Sequence, residues 1–173
     1  MLLNNYSIFL QGYHPVIVSV EKTNGAKFSG KIHFNKVIVN VGNAMIVQNS
    51  KQFSVFIAPT SGIYLFSLTA NTPFKSPDSA WWLKLIVSLG YWETGHWAKK
   101  VRIAVRRNEK TYFYIHDNSE QTFCNNIAYT WKMDMLQGDK LEFFVTKGGP
   151  LMATHNEPII FTAELINVPT QCC

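Results

Sequence analysis

Phe56-Ile57-Ala58-Pro59-Thr60-Ser61-Gly62-Ile63-Tyr64-Leu65-Phe66-Ser67 sits near the middle of a 173-residue chain, and the fold is read outward from it. Pro59 to Gly62 is a turn signal. Ile63 to Thr69 is a run of β-branched and aromatic residues, the composition of a strand. The same texture continues on both sides. Val16, Val18 and Val20 alternate with Ile17, Ser19 and Glu21, and Val101, Ile103 and Val105 alternate with Arg102, Ala104 and Arg106. Tyr112, Tyr114 and His116 alternate with Phe113, Ile115 and Asp117. Leu141, Phe143 and Val145 alternate with Glu142, Phe144 and Thr146. A period of two means strands with one buried face.

Further turn signals fall at Asn24-Gly25, Arg107 to Lys110, Gln137-Gly138-Asp139 and Gly148-Gly149-Pro150. Arg107-Asn108-Glu109-Lys110 reads as a hairpin between two alternating strands. Gly138-Asp139 reads the same way, between Trp131–Leu136 and Leu141–Val145. There is no amphipathic helix, repeat or low-complexity segment. Many short strands at regular spacing predict an all-β antiparallel sandwich or barrel.

Composition narrows the class. The chain is 47% hydrophobic and 16% charged, which excludes intrinsic disorder. No stretch approaches the roughly 20 apolar residues of a membrane helix, so membrane insertion is not expected. Ten glycines without a three-residue period exclude a collagen segment. The three cysteines, Cys124, Cys172 and Cys173, cannot all pair within one chain. The adjacent pair at the end suits links between chains or free thiols. No signal peptide is visible in Met1 to Tyr6, and Asn5-Tyr6-Ser7 is the only glycosylation sequon.

Four segments together resemble one family. Ile32-His33-Phe34-Asn35-Lys36-Val37-Ile38-Val39-Asn40-Val41-Gly42-Asn43-Ala44 resembles the opening of the complement C1q globular head domain. Phe56 to Ser67 resembles its central signature, Phe, five residues, then Gly-x-Tyr-x-Phe. Leu136-Gln137-Gly138-Asp139-Lys140-Leu141 resembles its late Gly-Asp turn, and Phe161-Thr162-Ala163-Glu164-Leu165-Ile166 its closing strand. Met45 and Leu68 depart from the family pattern, as does Ala163 where a glycine is usual. The resemblance implies a ten-stranded jelly-roll sandwich of the C1q and tumour necrosis factor kind. It implies a head domain over residues 15–168, preceded by a tail at 1–14 and followed by a cysteine tail at 169–173. It also implies a homotrimer, with Phe34, Phe56, Tyr64, Phe66 and Phe161 filling the core and the trimer seam.

The largest departure is an insertion of some 30 residues at 71–100, which holds four of the five tryptophans: Trp81, Trp82, Trp92 and Trp97. It reads as a binding element, an extra hairpin packed on the sheet, or an error of gene prediction. If Trp92 and Trp97 are exposed, they offer a lectin-like or partner-binding surface.

Catalytic patterns are missing. There is no nucleophile elbow, no zinc helix and no phosphate loop, and His14, His33, His96, His116 and His155 read as surface or turn residues. No enzyme activity is expected. Some members of the family bind calcium through an acidic residue just before the strand that starts here at Val101. Lys99-Lys100 stands there instead, so calcium is not favoured and no metal or other cofactor is expected.

The net charge of +5 is unevenly spread: Lys99, Lys100, Arg102, Arg106, Arg107 and Lys110 lie within twelve residues. With Val101, Ile103 and Val105 inward, Arg102 and Arg106 point out, and the set forms a positive stripe suited to sulfate, phosphate or carboxylate. Aromatics do not interleave with it in a stacking pattern, so nucleic acid is not an expected partner. The expected function is a secreted, trimeric, lectin-like recognition module that binds anionic or carbohydrate surface ligands by avidity in innate immunity. The alternative is a ligand of the tumour-necrosis-factor or synapse-organiser kind that engages a protein receptor.

Overall fold

Residues that alternate in sequence also alternate in burial. The computed structural model of the chain describes residues 15–24, 29–49, 52–71, 101–116, 126–147, 151 and 153–167. Among them are eleven strands: β1 (Ile17–Lys22), β2 (Gly30–Lys31), β3 (Lys36–Val41), β4 (Met45–Asn49), β5 (Gln52–Ile57), β6 (Gly62–Asn71), β7 (Arg102–Arg107), β8 (Lys110–His116), β9 (Asn126–Met135), β10 (Lys140–Lys147) and β11 (Ile159–Asn167). Every other residue of β6 is buried along its whole length, and β10 and β11 follow the same rule over most of theirs.

Five strands form one sheet in the order β3-β1-β11-β6-β9. The other runs β4-β5-β10-β7-β8, with the two-residue β2 paired to β10. The expected ten-stranded sandwich is therefore present, with β2 as a short extra piece. Every strand pairing is antiparallel. Successive strands repeatedly change sheet, as from β3 to β4, β5 to β6 and β9 to β10, which is jelly-roll connectivity.

The inner faces meet in an aromatic core. Phe66 of β6 stacks on Phe161 of β11 and on Tyr64, and Phe56 of β5 meets Phe66 edge-on at 5.3 Å. Phe143 of β10 and Phe161 close the other side at 4.9 Å. Offset and edge-on contacts of this kind add to the area each ring buries. The Tyr64 hydroxyl donates to the Thr60 carbonyl at 2.6 Å, so the ring can be buried without stranding its polar end.

Of the two predicted hairpins, one is confirmed and one is corrected. β7 and β8 pair through Arg107↔Lys110, and the linking Asn108 and Glu109 both have positive φ, as a two-residue hairpin of type I′ requires. Gly138-Asp139 is not a hairpin. β9 pairs with β6 in one sheet, and β10 with β2, β5 and β7 in the other, so the turn is a corner between layers. Hydrogen bonds to other turns hold it there. The Gly138 N–H donates to the Ala58 carbonyl at 2.8 Å, and the Ala58 N–H donates to the Asp139 carbonyl at 2.9 Å. The Gln137 N–H donates to Ser61 Oγ at 2.9 Å.

Candidate functional site

The basic strand β7 lies between β10 and β8 on the six-stranded sheet. Val101, Ile103 and Val105 face the core, and Arg102 and Arg106 face outward, half-buried. Register sets their neighbours. Ala104 is opposite Phe144 on one side and Tyr114 on the other, Arg106 is opposite Glu142, and Arg102 is opposite His116.

Each arginine leans across its strand onto a diagonal ring. The Arg102 guanidinium lies 4.5 Å from the Tyr114 ring centroid, and that of Arg106 lies 4.3 Å from Phe144. These are close cation–π distances, well inside the ~6 Å limit. The two arginines and two rings cover Ala104, which is only 1% exposed although it sits on the outward side of the strand. Arg102 Nε donates to Thr146 Oγ1 at 3.2 Å, and that hydroxyl donates back to the Arg102 carbonyl at the same distance. Glu142, opposite Arg106, is ion-paired to Lys31 of β2, whose ammonium lies 6.0 Å from the Phe144 centroid. Neither Arg102 nor Arg106 has a carboxylate partner among the described residues.

The remaining cations of the stripe fare differently. Arg107 turns to the corner, where Nε and Nη2 donate to Asp139 Oδ2 at 3.1 and 2.5 Å. Asn108 Nδ2 donates to Asp139 Oδ1 at 2.6 Å and the Leu136 N–H to Oδ2 at 2.8 Å. Burial would raise this carboxyl, but the bonds from Asn108, Leu136 and Arg107, with the Arg107 charge, hold it below its ordinary value. Arg107 is thus a structural clamp. Lys110 is exposed at the hairpin. Lys99, Lys100, Trp92 and Trp97, with the rest of the insertion after Asn71, lie outside the described residues, as do all three cysteines.

The five aromatics expected in the core, Phe34, Phe56, Tyr64, Phe66 and Phe161, are all between 0 and 1% exposed within one chain. Any seam between chains has to use other side chains. His116 and His155 are exposed, while His33 is half-buried. Desolvation, then the charges of Lys31 and Lys22, lower the His33 pKa, which favours its neutral form. Among the described residues no three His, Cys, Asp or Glu side chains converge to hold a metal ion.

Tyr114 and Phe144 as partners of the arginines were missed in the sequence. The signal was there in part, since Phe144 falls at an outward position of its alternating strand, where a large apolar ring needs something to cover it.

No protein-family model matches the chain, and no curated protein does. Solved structures do. The globular domain of zebrafish complement 1qA protein is similar, with a TM-score of 0.55 at 13% identity, covering 89% of this chain and 99% of that one. Murine APRIL at pH 5.0 superimposes with a TM-score of 0.54 at 10% identity, covering 87% and 99%, and the pH 8.0 form gives 0.53. The fold is that of the C1q and tumour-necrosis-factor ligand domains. At these identities the likeness establishes architecture and leaves function to the residues.

Proposed function

We propose that the chain is a non-enzymatic, extracellular recognition head that assembles as a homotrimer and binds anionic or carbohydrate surface ligands by avidity, in innate immune recognition. One observation carries the assembly: the molecule exposes an aromatic edge and, elsewhere on its surface, a sheet face with a row of small hydroxyl side chains, two unlike surfaces that can face each other. The first is an edge. Phe113 of β8 meets Tyr129 and Trp131 of β9 at 5.7 and 5.4 Å, where the terminal strands of the two sheets come together, and Tyr112 and Tyr129 are exposed beside them. The second is the outer face of the five-stranded sheet. Ser19, Thr162, Ser67 and Thr130 line up across four strands, making a row of small hydroxyl side chains, and the row beside it runs Val41, Ile17, Glu164, Leu65 and Lys132. Exposed aromatic side chains gathered at one edge suit an interface. An edge fitted to a face is a head-to-tail contact, which closes into a ring when the rotation allows. Three equivalent sites on one rigid head then gain avidity on a repetitive target.

The likeness to murine APRIL supports a second reading, a receptor-binding ligand of the tumour-necrosis-factor kind. Light scattering with and without reductant tests the assembly, and saccharide competition separates the two readings. A trimer stable in reductant is expected, and free glycan is expected to displace it from its target. A monomer at micromolar concentration removes the avidity mechanism, and binding untouched by glycan favours the receptor ligand.

A further inference from the structure

We infer that the Arg102–Tyr114–Ala104–Phe144–Arg106 platform on the six-stranded sheet binds the sulfate or carboxylate groups of an extended acidic polysaccharide. This rests on the recognition reading above and names its site and ligand class. Arginines on an exposed strand ordinarily extend into water or find a carboxylate. Here both guanidiniums lie over rings, at 4.5 and 4.3 Å, and among the described residues the outward carboxylate opposite Arg106, Glu142, is held by Lys31. Arg102 uses Nε on Thr146, and Arg106 Nε is covered without a partner among the described residues. Among the described residues no acceptor takes the terminal N–H groups of either, which leaves them for a ligand. A guanidinium fixed in orientation loses little freedom on gripping an oxyanion bidentately.

The shape of the site selects among anions. Arg102 and Arg106 are four residues apart on one strand, roughly 13 Å at the backbone, and lie over rings on opposite sides of Ala104, so they offer two separate grips that a chain with repeated charges can take together. The platform lies on the outward side of the sheet, where a polymer that runs along β7 can reach both arginines. Nucleic acid also carries repeated charges, but single strands bind by stacking bases on free aromatic faces. Both rings here already carry a guanidinium.

The test uses the whole chain over immobilised heparin, which is sulfated, and immobilised hyaluronan, which carries only carboxylates, with single-stranded DNA as competitor. Arg106→Gln and Arg102→Gln are each expected to weaken polysaccharide binding by about tenfold, the loss of one charge-assisted contact. Arg106→Lys keeps the charge but not the fork and is expected to recover only part of it. Lys36→Gln removes one charge from the other sheet and is expected to change binding less than about twofold, as weak long-range screening dictates. Heparin alone binding assigns sulfate, and both binding assigns oxyanions in general. The inference is overturned if neither polysaccharide binds, if Lys36→Gln costs as much as Arg106→Gln, or if DNA competes as well as heparin. Light scattering on the same samples keeps the two proposals separate. A trimer that ignores both polysaccharides loses the site and keeps the assembly, and a monomer that binds them does the reverse.

Discussion

Asp139 shows how one side chain holds a corner of the sandwich. It is 8% exposed, yet it accepts hydrogen bonds from Arg107, Asn108 and the Leu136 N–H, which come from two different turns. Asp139→Asn keeps the shape and one acceptor but loses the charge. It is expected to cost about 2 kcal/mol, less than a fully buried pair because Arg107 stays partly solvated. The sign of the pH effect follows from the depressed carboxyl. In the unfolded chain the group titrates near 3.8, and in the folded chain it titrates lower. Between those values the unfolded state binds more protons, so stability rises with pH there. The contribution is complete above the unfolded value and is lost as pH falls through the folded one. Urea midpoints from pH 7 down to pH 2 should therefore converge for the wild type and Asp139→Asn at the acid end. Parallel curves would refute the assignment. Gly62 is the second such residue. A Cβ there would lie 2.4 Å from the Asn167 carbonyl oxygen and 2.6 Å from Leu165 Cδ1. Its φ is ordinary, so the constraint is the close approach of β11 at a register shift, not a left-handed backbone. Gly62→Ala is expected to lower stability by roughly 1–3 kcal/mol, as overpacking does. An unchanged thermal midpoint would show that β11 yields freely.

At the scale of elements, strands were legible and their partners were not. The alternation of Val101 to Arg107 placed Ile103 inward and Arg106 outward because that depends only on the pleat. That the Arg106 guanidinium lies over Phe144 depends on β10 being the neighbour of β7, a pairing across more than 30 residues that no local pattern contains. The two Gly-Asp and Asn-Glu turns teach the same lesson. Each joins two alternating strands, and alternation is the same whether the chain folds back in its own sheet or crosses to the other. What separates them is the buried carboxylate and its distant donors, which appear only when the layers are assembled. The β7–β8 turn also carries a local conflict. Asn tolerates positive φ, but Glu109 holds φ at 67° with no benefit evident in its contacts. Glu109→Gly is expected to raise stability by about 0.5–1 kcal/mol, because glycine relieves a backbone conformation that costs other residues roughly 1–2 kcal/mol while loosening the unfolded chain somewhat. A urea midpoint that falls instead would mean that the Glu109 side chain makes a contribution larger than its backbone strain.

For the whole molecule, the assembly question reduces to which surfaces meet. The core aromatics that the family resemblance assigned partly to a seam have no surface left, being spent on joining β5, β6, β10 and β11 within one chain. Among the described residues, the exposed side chains that can meet include the Tyr112–Tyr129 edge and Ile17 and Val41 on the outer face, on opposite kinds of element: sheet ends in one case and a sheet surface in the other. Because they differ, a contact between them leaves one of each unused on every pair of chains, and only a closed ring satisfies all of them. That logic can be tested by breaking each surface separately. Tyr129→Asp should destroy the edge and Ile17→Asp the face, and each variant alone should run as a monomer, since burying an unpaired carboxylate costs far more than the contact returns. Mixed together, the two variants retain one good edge on one chain and one good face on the other. They should therefore recover at most a heterodimer, never a trimer, by light scattering. If Tyr129→Asp remains trimeric, the edge is not in the contact. If Ile17→Asp alone remains oligomeric while Tyr129→Asp falls apart, the chains meet edge to edge. That contact is self-complementary and stops at two, which would replace the three-site avidity mechanism with a bivalent one.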